Sequence, residues 1–254
     1  MATWQEINQK RKPFIRMGER LFKGMYNQIR RSFIREIRQV DSPQEVDRVL
    51  EEFTFDVQMK ESFTKFYVKT VRAFAKDTVN RYKGASKRLE VKSEEDWLAK
   101  ILEYVDVEVG DFISETIYTH REDIIRITKK AVTEGVDQGW GMDQIARVIN
   151  KDQAELNNWK ALRIARTETV RASSYGTELG ASELPGNKAK VWISSFTPTS
   201  RDDHMAADGQ QVELGGWFRI GADELRYPGD PAAPPEQTIN CRCAYEVIIT
   251  DEIF

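Results

Sequence analysis

The chain has 254 residues, of which 40% are hydrophobic and 31% are charged, and its formal net charge is −3. This composition predicts a globular protein with one large domain or two small ones, and no apolar run is long enough to cross a bilayer. The first residues lack the apolar core of a signal peptide, so we expect a cytosol-like compartment, and two cysteines are too few for a disulfide framework.

The charges are unevenly distributed along the chain. Residues 1–40 contain ten Lys and Arg against three Asp and Glu, whereas residues 201–254 contain four Arg against eleven Asp and Glu. A basic end suits nucleic acid or an acidic protein surface, although two oppositely charged solvated faces would give the same pattern. Few aromatics accompany the basic residues, which favours contact with a phosphate backbone or a protein over base reading. The candidate contact residues are Lys10, Arg11, Lys12, Arg16, Arg20, Lys23, Arg30 and Arg31, followed by Arg35 and Arg38.

The pattern up to about residue 185 predicts helices. Apolar residues recur close to every 3.6 residues over 22–37 and 63–74, which is typical of a half-buried helix. A third apolar stripe covers 101–127, with a break near Gly110. His120 lies on this stripe, and we expect it to be a buried structural histidine.

Helix boundaries are indicated by turn and capping residues. Ser93, followed by acidic residues, predicts a helix start. The glycines of residues 135–141 predict a connection, after which we expect a short helix near 145–149 and a separate helix over 154–183. Each glycine in the middle of a helix costs about 1 kcal/mol relative to alanine, so its presence needs a reason. In the second of these helices, small residues such as Gly176 and Gly180 would allow another element to approach closely.

The last quarter of the chain changes character after the turn at residues 184–187. Residues 189–196 alternate as a strand does, and 210–214, 215–220 and 241–250 are further short strand candidates. Residues 226–236 contain four prolines and are predicted to be a loop. The sequence therefore predicts an α+β protein.

The two cysteines of the chain, Cys241 and Cys243, are one residue apart. On a strand they would point to the same face, where regular geometry does not favour a disulfide. Together with His204 they would supply three zinc ligands, and Asp202, Asp203 or Asp208 is available as a fourth. The usual first C-x-x-C knuckle is missing, so the alternative is two small side chains within a β core.

Catalytic constellations are weakly represented. A cysteine beside His204 would make a nucleophile and base, and Asp202 and Asp203 with His204 would suit a metal-dependent hydrolase. No phosphate-binding glycine loop, oxyanion loop or H-E-x-x-H helix accompanies them. We therefore predict that the protein is not an enzyme, and we interpret Arg166 and Glu168 as a structural ion pair.

An ordered set of motifs spans roughly residues 135–247. Its members are Gly139-x-Gly141 with Ile145-Ala146, Ile164-Ala-Arg-Thr-Glu168 with Ala172 and Gly176, Trp192-Ile-Ser, Arg201 and His204 before Asp208-Gly209, Pro228-Gly-Asp-Pro231, and Asn240-Cys-Arg-Cys243. This set resembles the Mu F-like head morphogenesis family of tailed-phage minor head proteins. The sequence departs from the family in having Thr197 where members often have an aspartate.

The resemblance implies a role and a location. It implies a minor head component near the portal vertex, acting in procapsid assembly and in DNA packaging or delivery. The implied partners are the phage portal protein, the major capsid or scaffolding protein and possibly DNA, without a membrane. The implied locations are the interior of the virion head and the host cytoplasm during assembly.

The resemblance also bears on metal binding. Some members carry a C-x-x-C pair at the positions of Arg201 and His204, which together with C-x-C would complete a zinc site. Arg201 replaces one ligand here, so we expect no cofactor and instead a hydrogen-bond network that holds this loop to the cysteine segment. Zinc on His204, Cys241 and Cys243 is the alternative.

The sequence thus predicts a helical region at residues 1–134 and a Mu F-like C-terminal domain, a helix plus a short antiparallel sheet, at residues 135–254. The predicted structural network consists of Arg166, Glu168, Trp192, Arg201, His204, Asp208, Asn240, Cys241 and Cys243. Asn240 is expected to turn the backbone before the strand. The alternative functions are a DNA-binding module that uses the basic N-terminal helix, and a metal-dependent nuclease or toxin-like transferase.

Overall fold

A computed structural model describes residues 2–83 and 94–250. The contacts divide the chain into two compact units. Unit 1 contains Met1–Gly18, Thr64–Val109 and Arg163–Phe254, and unit 2 contains Glu19–Phe63 and Gly110–Leu162. Each unit is assembled from separated parts of the chain, and the domain boundary predicted between residues 134 and 135 stays a prediction.

Long helices make up most of the described chain, and the fold class α+β is confirmed. The helices are α1 (Trp4–Ile37), α2 (Val46–Glu52), α3 (Asp56–Lys83), α4 (Glu94–Glu103), α5 (Gly110–Asp137), α6 (Met142–Ser182), α7 (Asp202–Ala206) and α8 (Pro235–Thr238). A 3₁₀ turn at Pro43–Glu45 precedes α2, and a π-helical turn at Tyr104–Glu108 follows α4. Among the described residues, no helix combines the length and the apolar character that crossing a bilayer requires.

The predicted apolar stripes are buried, which explains why these segments are helical. Phe22, Ile29 and Phe33 of α1 are fully buried, as are Phe63 and Phe66 of α3. Helix stability in water comes mainly from burying such a stripe. The predicted break near Gly110 is confirmed, whereas the predicted start at Ser93 lies outside the described residues.

One helix prediction is wrong. The short helix near 145–149 and the separate helix over 154–183 are a single helix, α6. No glycine or proline occurs between residues 142 and 175, so nothing interrupts its hydrogen bonds. The connection before it depends on Gly139, whose φ of 67° lies in the left-handed region that glycine adopts without strain.

Close helix packing in unit 1 depends on two glycines of α6, as the sequence predicts. A Cβ added to Gly176 would lie 2.6 Å from the carbonyl oxygen of Val71, and one added to Gly180 would lie 2.5 Å from that of Ala75. Helix α3 therefore approaches the backbone of α6 more closely than any residue with a side chain would permit.

A small sheet completes unit 1. Its strands are β1 (Asn187–Ile193), β2 (Gln211–Glu213) and β5 (Ala244–Thr250), in the antiparallel order β2-β1-β5, and β3 (Phe218–Ile220) pairs with β4 (Asp223–Leu225) in a separate hairpin. Trp192 of β1 pairs with Tyr245 of β5, and both side chains are buried in the core. The strand β4 and the short helices α7 and α8 are not predicted from the sequence, because they are too short to show periodicity.

The predicted burial of His120 in unit 2 is confirmed. Its ring lies between those of Tyr26 and Phe55, with centroid separations of 4.5 and 5.3 Å. Burial, followed by the nearby charge of Lys160, lowers the pKa of His120 to about 3. Asp123 acts in the opposite direction but does not compensate.

We therefore expect His120 to make unit 2 sensitive to acid. The folded state resists protonation until about pH 3, whereas the unfolded histidine is protonated below about pH 6.5. Stability is fully present above pH 6.5 and falls below it, by at most roughly 1.4 kcal/mol per pH unit. Urea unfolding between pH 7 and 5, with hydrogen exchange of α5 amides, should show a steeper loss in the wild type than in His120→Phe. Equal slopes for the two proteins would contradict this assignment.

A buried histidine and cysteine cluster as candidate functional site

Three scarce side chains, His204, Cys241 and Cys243, meet inside unit 1. Nδ1 of His204 lies 3.6 Å from Sγ of Cys241 and 3.5 Å from Sγ of Cys243. Their potential ligand atoms all lie within 4.8 Å of one another. The residues are only 1%, 3% and 2% exposed, respectively, so the cluster is enclosed by the core.

The local backbone explains why both sulfurs face the histidine. The prediction that the cysteines lie on the last strand is wrong, because β5 begins at Ala244 and the cysteines precede it. Asn240 turns the chain with a φ of 57°, a conformation that asparagine tolerates better than most residues. Its N–H donates to Oγ1 of Thr167 on α6, which fixes the turn against that helix.

Gln237 determines the proton position on His204. Its side-chain amide lies 2.9 Å from carboxylate oxygens of both Asp203 and Asp223, and only the NH₂ group can donate to two carboxylates. The amide oxygen therefore accepts from Nε2–H of His204 at 2.8 Å. In the neutral imidazole, Nδ1 consequently presents its lone pair to the two sulfurs.

The two thiols have different acidities. The pKa of Cys243 is lowered, first by a hydrogen bond that Cys241 donates to its sulfur, and burial acts in the opposite direction. The same hydrogen bond and burial raise the pKa of Cys241 well above its ordinary value. One thiolate and one thiol are therefore expected at neutral pH, and the thiolate is the form that binds metal.

The donor set fits zinc as well as a hydrogen-bond network. Tetrahedral zinc with Zn–N near 2.0 Å and Zn–S near 2.3 Å places nitrogen and sulfur about 3.5 Å apart, which is close to both separations between Nδ1 and the sulfurs. The Nε2–H bond to Gln237 is also the outer contact that metal-bound histidines make. Zinc held by these three side chains would cross-link α7 to the cysteine segment. Without metal, a proton shared among Nδ1 and the sulfurs would join the same two segments by hydrogen bonds, which contribute far less free energy than zinc.

We propose that the purified protein contains far less than one zinc per chain, because Arg201 stands where, as the resemblance implies, some family members supply another ligand. Its guanidinium instead donates to the carbonyl of Ile239 at 2.9 Å. Elemental analysis after purification without chelator would measure the content, with a Cys241→Ser/Cys243→Ser variant as control. About one zinc per wild-type chain, absent from the control, would replace the network by a metal site.

A comparison with known protein families covers this part of the chain. Residues 126–246 match the family described as phage Mu protein F like protein. This segment belongs to the Mu F-like family. The resemblance predicted from the motifs is therefore confirmed, and the three cluster residues all lie within the Mu F-like segment. Membership supports a phage head protein in general terms and association with the virion.

A comparison with individual proteins found a relative that is named as an enzyme. The chain is 31% identical over 137 residues to a protein named NAD(+)--arginine ADP-ribosyltransferase EFV from Enterococcus faecalis (strain ATCC 700802 / V583). The match covers 53% of this chain but only 28% of that relative. No solved structure matches the chain significantly.

Other predicted network residues of the Mu F-like segment surround the cluster. Trp192 is fully buried and its ring meets that of His204 edge to face, with centroids 5.5 Å apart. Asp208 is exposed, and its carboxylate accepts the backbone N–H of Ser194 at 2.7 Å. These contacts connect α7 and the turn after it to β1.

The predicted ion pair between Arg166 and Glu168 is not formed. Glu168 is fully buried and bonds to Arg171, with both N–O distances 3.0 Å, and to the hydroxyl of Tyr67. Residues two apart on a helix point in different directions, whereas residues three apart are neighbours. The partner of Glu168 could therefore have been chosen from spacing alone. Arg171 also donates to the carbonyl of Gly229, which joins α6 to the proline-rich loop.

Two basic residues predicted to contact DNA or the portal have partners within unit 1. Arg11 is 3% exposed and donates to Oγ of Ser173 and to the carbonyl of Cys243. Burial lowers its pKa to about 10. Lys10 forms an ion pair with Asp77 at 2.7 Å. Arg11 lies four residues after the buried Ile7, so both side chains are on the same face of α1. This spacing was the sequence signal that Arg11 is buried in the core.

Proposed function

We propose that this Mu F-like protein is a minor head component that associates with the portal and acts in head morphogenesis and in DNA packaging or delivery. It would assemble in the host cytoplasm, with the major capsid or scaffolding protein as a further partner, and remain in the head interior. The observation that carries the structural role is the enclosure of His204, Cys241 and Cys243. A nucleophilic thiol requires partial exposure to act on a substrate, and these side chains have almost none.

The contacts around the cysteine segment also support a structural role. Arg201, which directly precedes α7, donates to the carbonyl of Ile239, Trp4 of α1 to that of Arg242, and Arg11 of α1 to that of Cys243. In the cysteine segment, residues 239–243, three of the five backbone carbonyls thus accept hydrogen bonds from side chains of other parts of unit 1. Such hydrogen bonds fix a segment in position, because each buried polar group left unpaired costs about 1–3 kcal/mol.

Co-purification with the portal protein expressed from the same phage operon tests the proposal. The tagged portal should retain the full-length protein through size-exclusion chromatography, and a His204→Ala variant that remains folded should bind equally well. The second half of this expectation separates a scaffold from an active site. Failure of the wild type to co-elute with portal and with assembling procapsids would remove the assignment.

The named relative raises a transferase as a second candidate. An ADP-ribosyltransferase moves ADP-ribose from NAD⁺ to an acceptor, and that activity is stated of the relative, most of whose length lies outside the match. We propose that the shared segment serves as a scaffold in both proteins. Incubation with labelled NAD⁺ and arginine-containing acceptors should give no transfer. Transfer that is lost in a folded His204→Ala variant would establish an enzyme instead.

A metal-dependent nuclease is tested in the same way. Plasmid and linear DNA incubated with the protein and Mg²⁺ or Zn²⁺ should remain intact under conditions in which a control nuclease cuts them. Cleavage that follows the protein through purification, and that disappears in the folded His204→Ala variant, would count against the structural role.

A further inference from the structure

A strongly basic face occupies the part of α1 that lies in unit 2. Arg20, Lys23, Arg31 and Arg35 are exposed on this helix, and Arg38 is exposed in the turn that directly follows it. At 100° per residue they fall within a sector of roughly 120°, so they form one stripe along the helix. Within residues 19–38, the aromatic residues are Phe22, Tyr26 and Phe33, and all three are buried on the opposite side.

No ion pair involves these five basic residues within residues 2–83 and 94–250. Arg31 and Arg35 are also four residues apart, a spacing at which like charges destabilise a helix by about 0.2–0.5 kcal/mol. The density of positive charge therefore lowers the stability of the folded protein when no anion is bound. Lys10 and Arg11 differ, since intramolecular partners already satisfy them.

Polar grooves adjoin this stripe. One groove of about 550 Å³ is lined by Arg30, Arg31, Arg35, Arg38, Gln39 and Asn150 among others. A second, of about 610 Å³, shares Arg31 and Arg35 and adds the uncharged side chains of Asn27, Gln28 and Ser32. Side chains with guanidinium, amide and hydroxyl groups make most protein contacts to the phosphate and sugar oxygens of nucleic acids, and both grooves are lined by such side chains.

Arg30 lines the first groove, and hydrogen bonds hold its guanidinium in place. It donates to the carbonyl and to the side-chain oxygen of Asn150 on α6, and at 3.2 Å to Oδ1 of Asn27. Burial, followed by the charge of Arg31, lowers its pKa. A second cation next to Arg31 raises the attraction of the groove for an anion.

We propose that the face formed by Arg20, Lys23, Arg31, Arg35 and Arg38 binds the phosphodiester backbone of nucleic acid without reading its bases. Successive arginines three or four residues apart rise about 4.5–6 Å along a helix, so several of them can face a nucleic-acid strand, which carries one phosphate charge per about 3.4 Å of its axis. Arginine matches phosphate with two parallel N–H bonds, and the absence of exposed aromatics within 19–38 removes stacking on bases. The proposal deepens the proposed function and rests on it for its setting in the phage head.

Fluorescence anisotropy of the full-length protein with a labelled 20-bp DNA duplex tests the proposal. The wild type should bind any duplex sequence equally, with an affinity that falls steeply as salt rises. Arg31→Gln/Arg35→Gln/Arg38→Gln should lose about tenfold or more in affinity and lower the salt slope by roughly 0.9 for each phosphate contact removed.

Two matched variants control for net charge and for folding. Arg126→Gln/Lys129→Gln/Lys130→Gln removes three charges from α5 in the same unit, where Arg126 pairs with Asp123 and Lys130 with Glu134, and should bind nearly as the wild type does. Arg31→Lys/Arg35→Lys/Arg38→Lys keeps the charge and should lose much less than the glutamine variant. Equal losses in the α5 control and the α1 variant would overturn the proposal.

Competitors distinguish the nucleic acid from other polyanions. Single-stranded DNA and RNA of equal length should compete for the same face, and their order of affinity identifies the preferred source of phosphodiesters. Polyglutamate of equal charge should compete poorly, and stronger competition by it would assign the face to an acidic protein instead. Portal co-purification does not enter this assay, so either proposal can fail without the other.

Discussion

Replacement of Gly180 by alanine should destabilise unit 1 by about 1–3 kcal/mol, although helix propensity alone predicts a gain of roughly 1 kcal/mol. The added Cβ would lie 2.5 Å from the carbonyl oxygen of Ala75 and 3.0 Å from Cα of the same residue. Backbone atoms cannot move aside as a flexible side chain does, so α3 and α6 must separate. Their separation would open the contact that Gly176 makes one turn earlier.

Gly24 provides a matched control on a helix. It is an exposed glycine within α1, and a Cβ there would meet nothing within 4 Å. Gly24→Ala should therefore raise the free energy of unfolding by about 0.5–1 kcal/mol. Urea unfolding followed by far-UV circular dichroism would measure both variants. The interpretation of close packing fails if Gly180→Ala and Gly24→Ala shift stability in the same direction.

The second large effect concerns the buried pair of Glu168 and Arg171. Arg171→Met should cost about 3–5 kcal/mol, because it leaves the fully buried carboxylate with only the hydroxyl of Tyr67. Burial raises the pKa of Glu168 even though the guanidinium of Arg171 opposes that shift. The folded state therefore holds the ionised carboxylate less favourably than water does, so the pair does not recover its full desolvation cost.

A triple variant separates the value of the pair from the cost of breaking it. Glu168→Leu/Arg171→Met in a Tyr67→Phe background removes both charges and leaves no tyrosine hydroxyl without its acceptor. It should be more stable than Arg171→Met alone, since apolar replacement of a buried pair is often close to neutral. The same unfolding experiment measures it. A triple variant as unstable as the single one would show that the ion pair itself stabilises unit 1.

How far the sequence determines this fold depends on the length of each pattern. The stripe of α1 and that of α5 repeat over many turns, so their helices and buried faces could be predicted. Strands of three residues such as β4 contain too few positions to show alternation. Their pairing is set by the surrounding unit rather than by their own residues.

In the candidate site, too, some residues could be predicted from the sequence, and others depend on contacts that only the folded chain makes. Scarcity alone identified His204, Cys241 and Cys243, and the structure brings them together. Gln237 escaped prediction because its role depends on two carboxylates, of Asp203 and Asp223, that only the folded chain brings to one amide. Arg11 was misplaced because a run of three basic residues indicates an exposed segment, whereas its partner Cys243 lies 232 residues later.

The bonds from Trp4 and Arg11 to the carbonyls of Arg242 and Cys243 have a consequence for the order of folding. They join residues separated by 238 and 232 positions, among the most distant contacts in the described chain. During synthesis, the first helix emerges long before its acceptors exist, and closing so long a loop slows folding. Until then, the guanidinium of Arg11 lacks its carbonyl partner, so unit 1 acquires its final stability only after Arg242 and Cys243 have been synthesised.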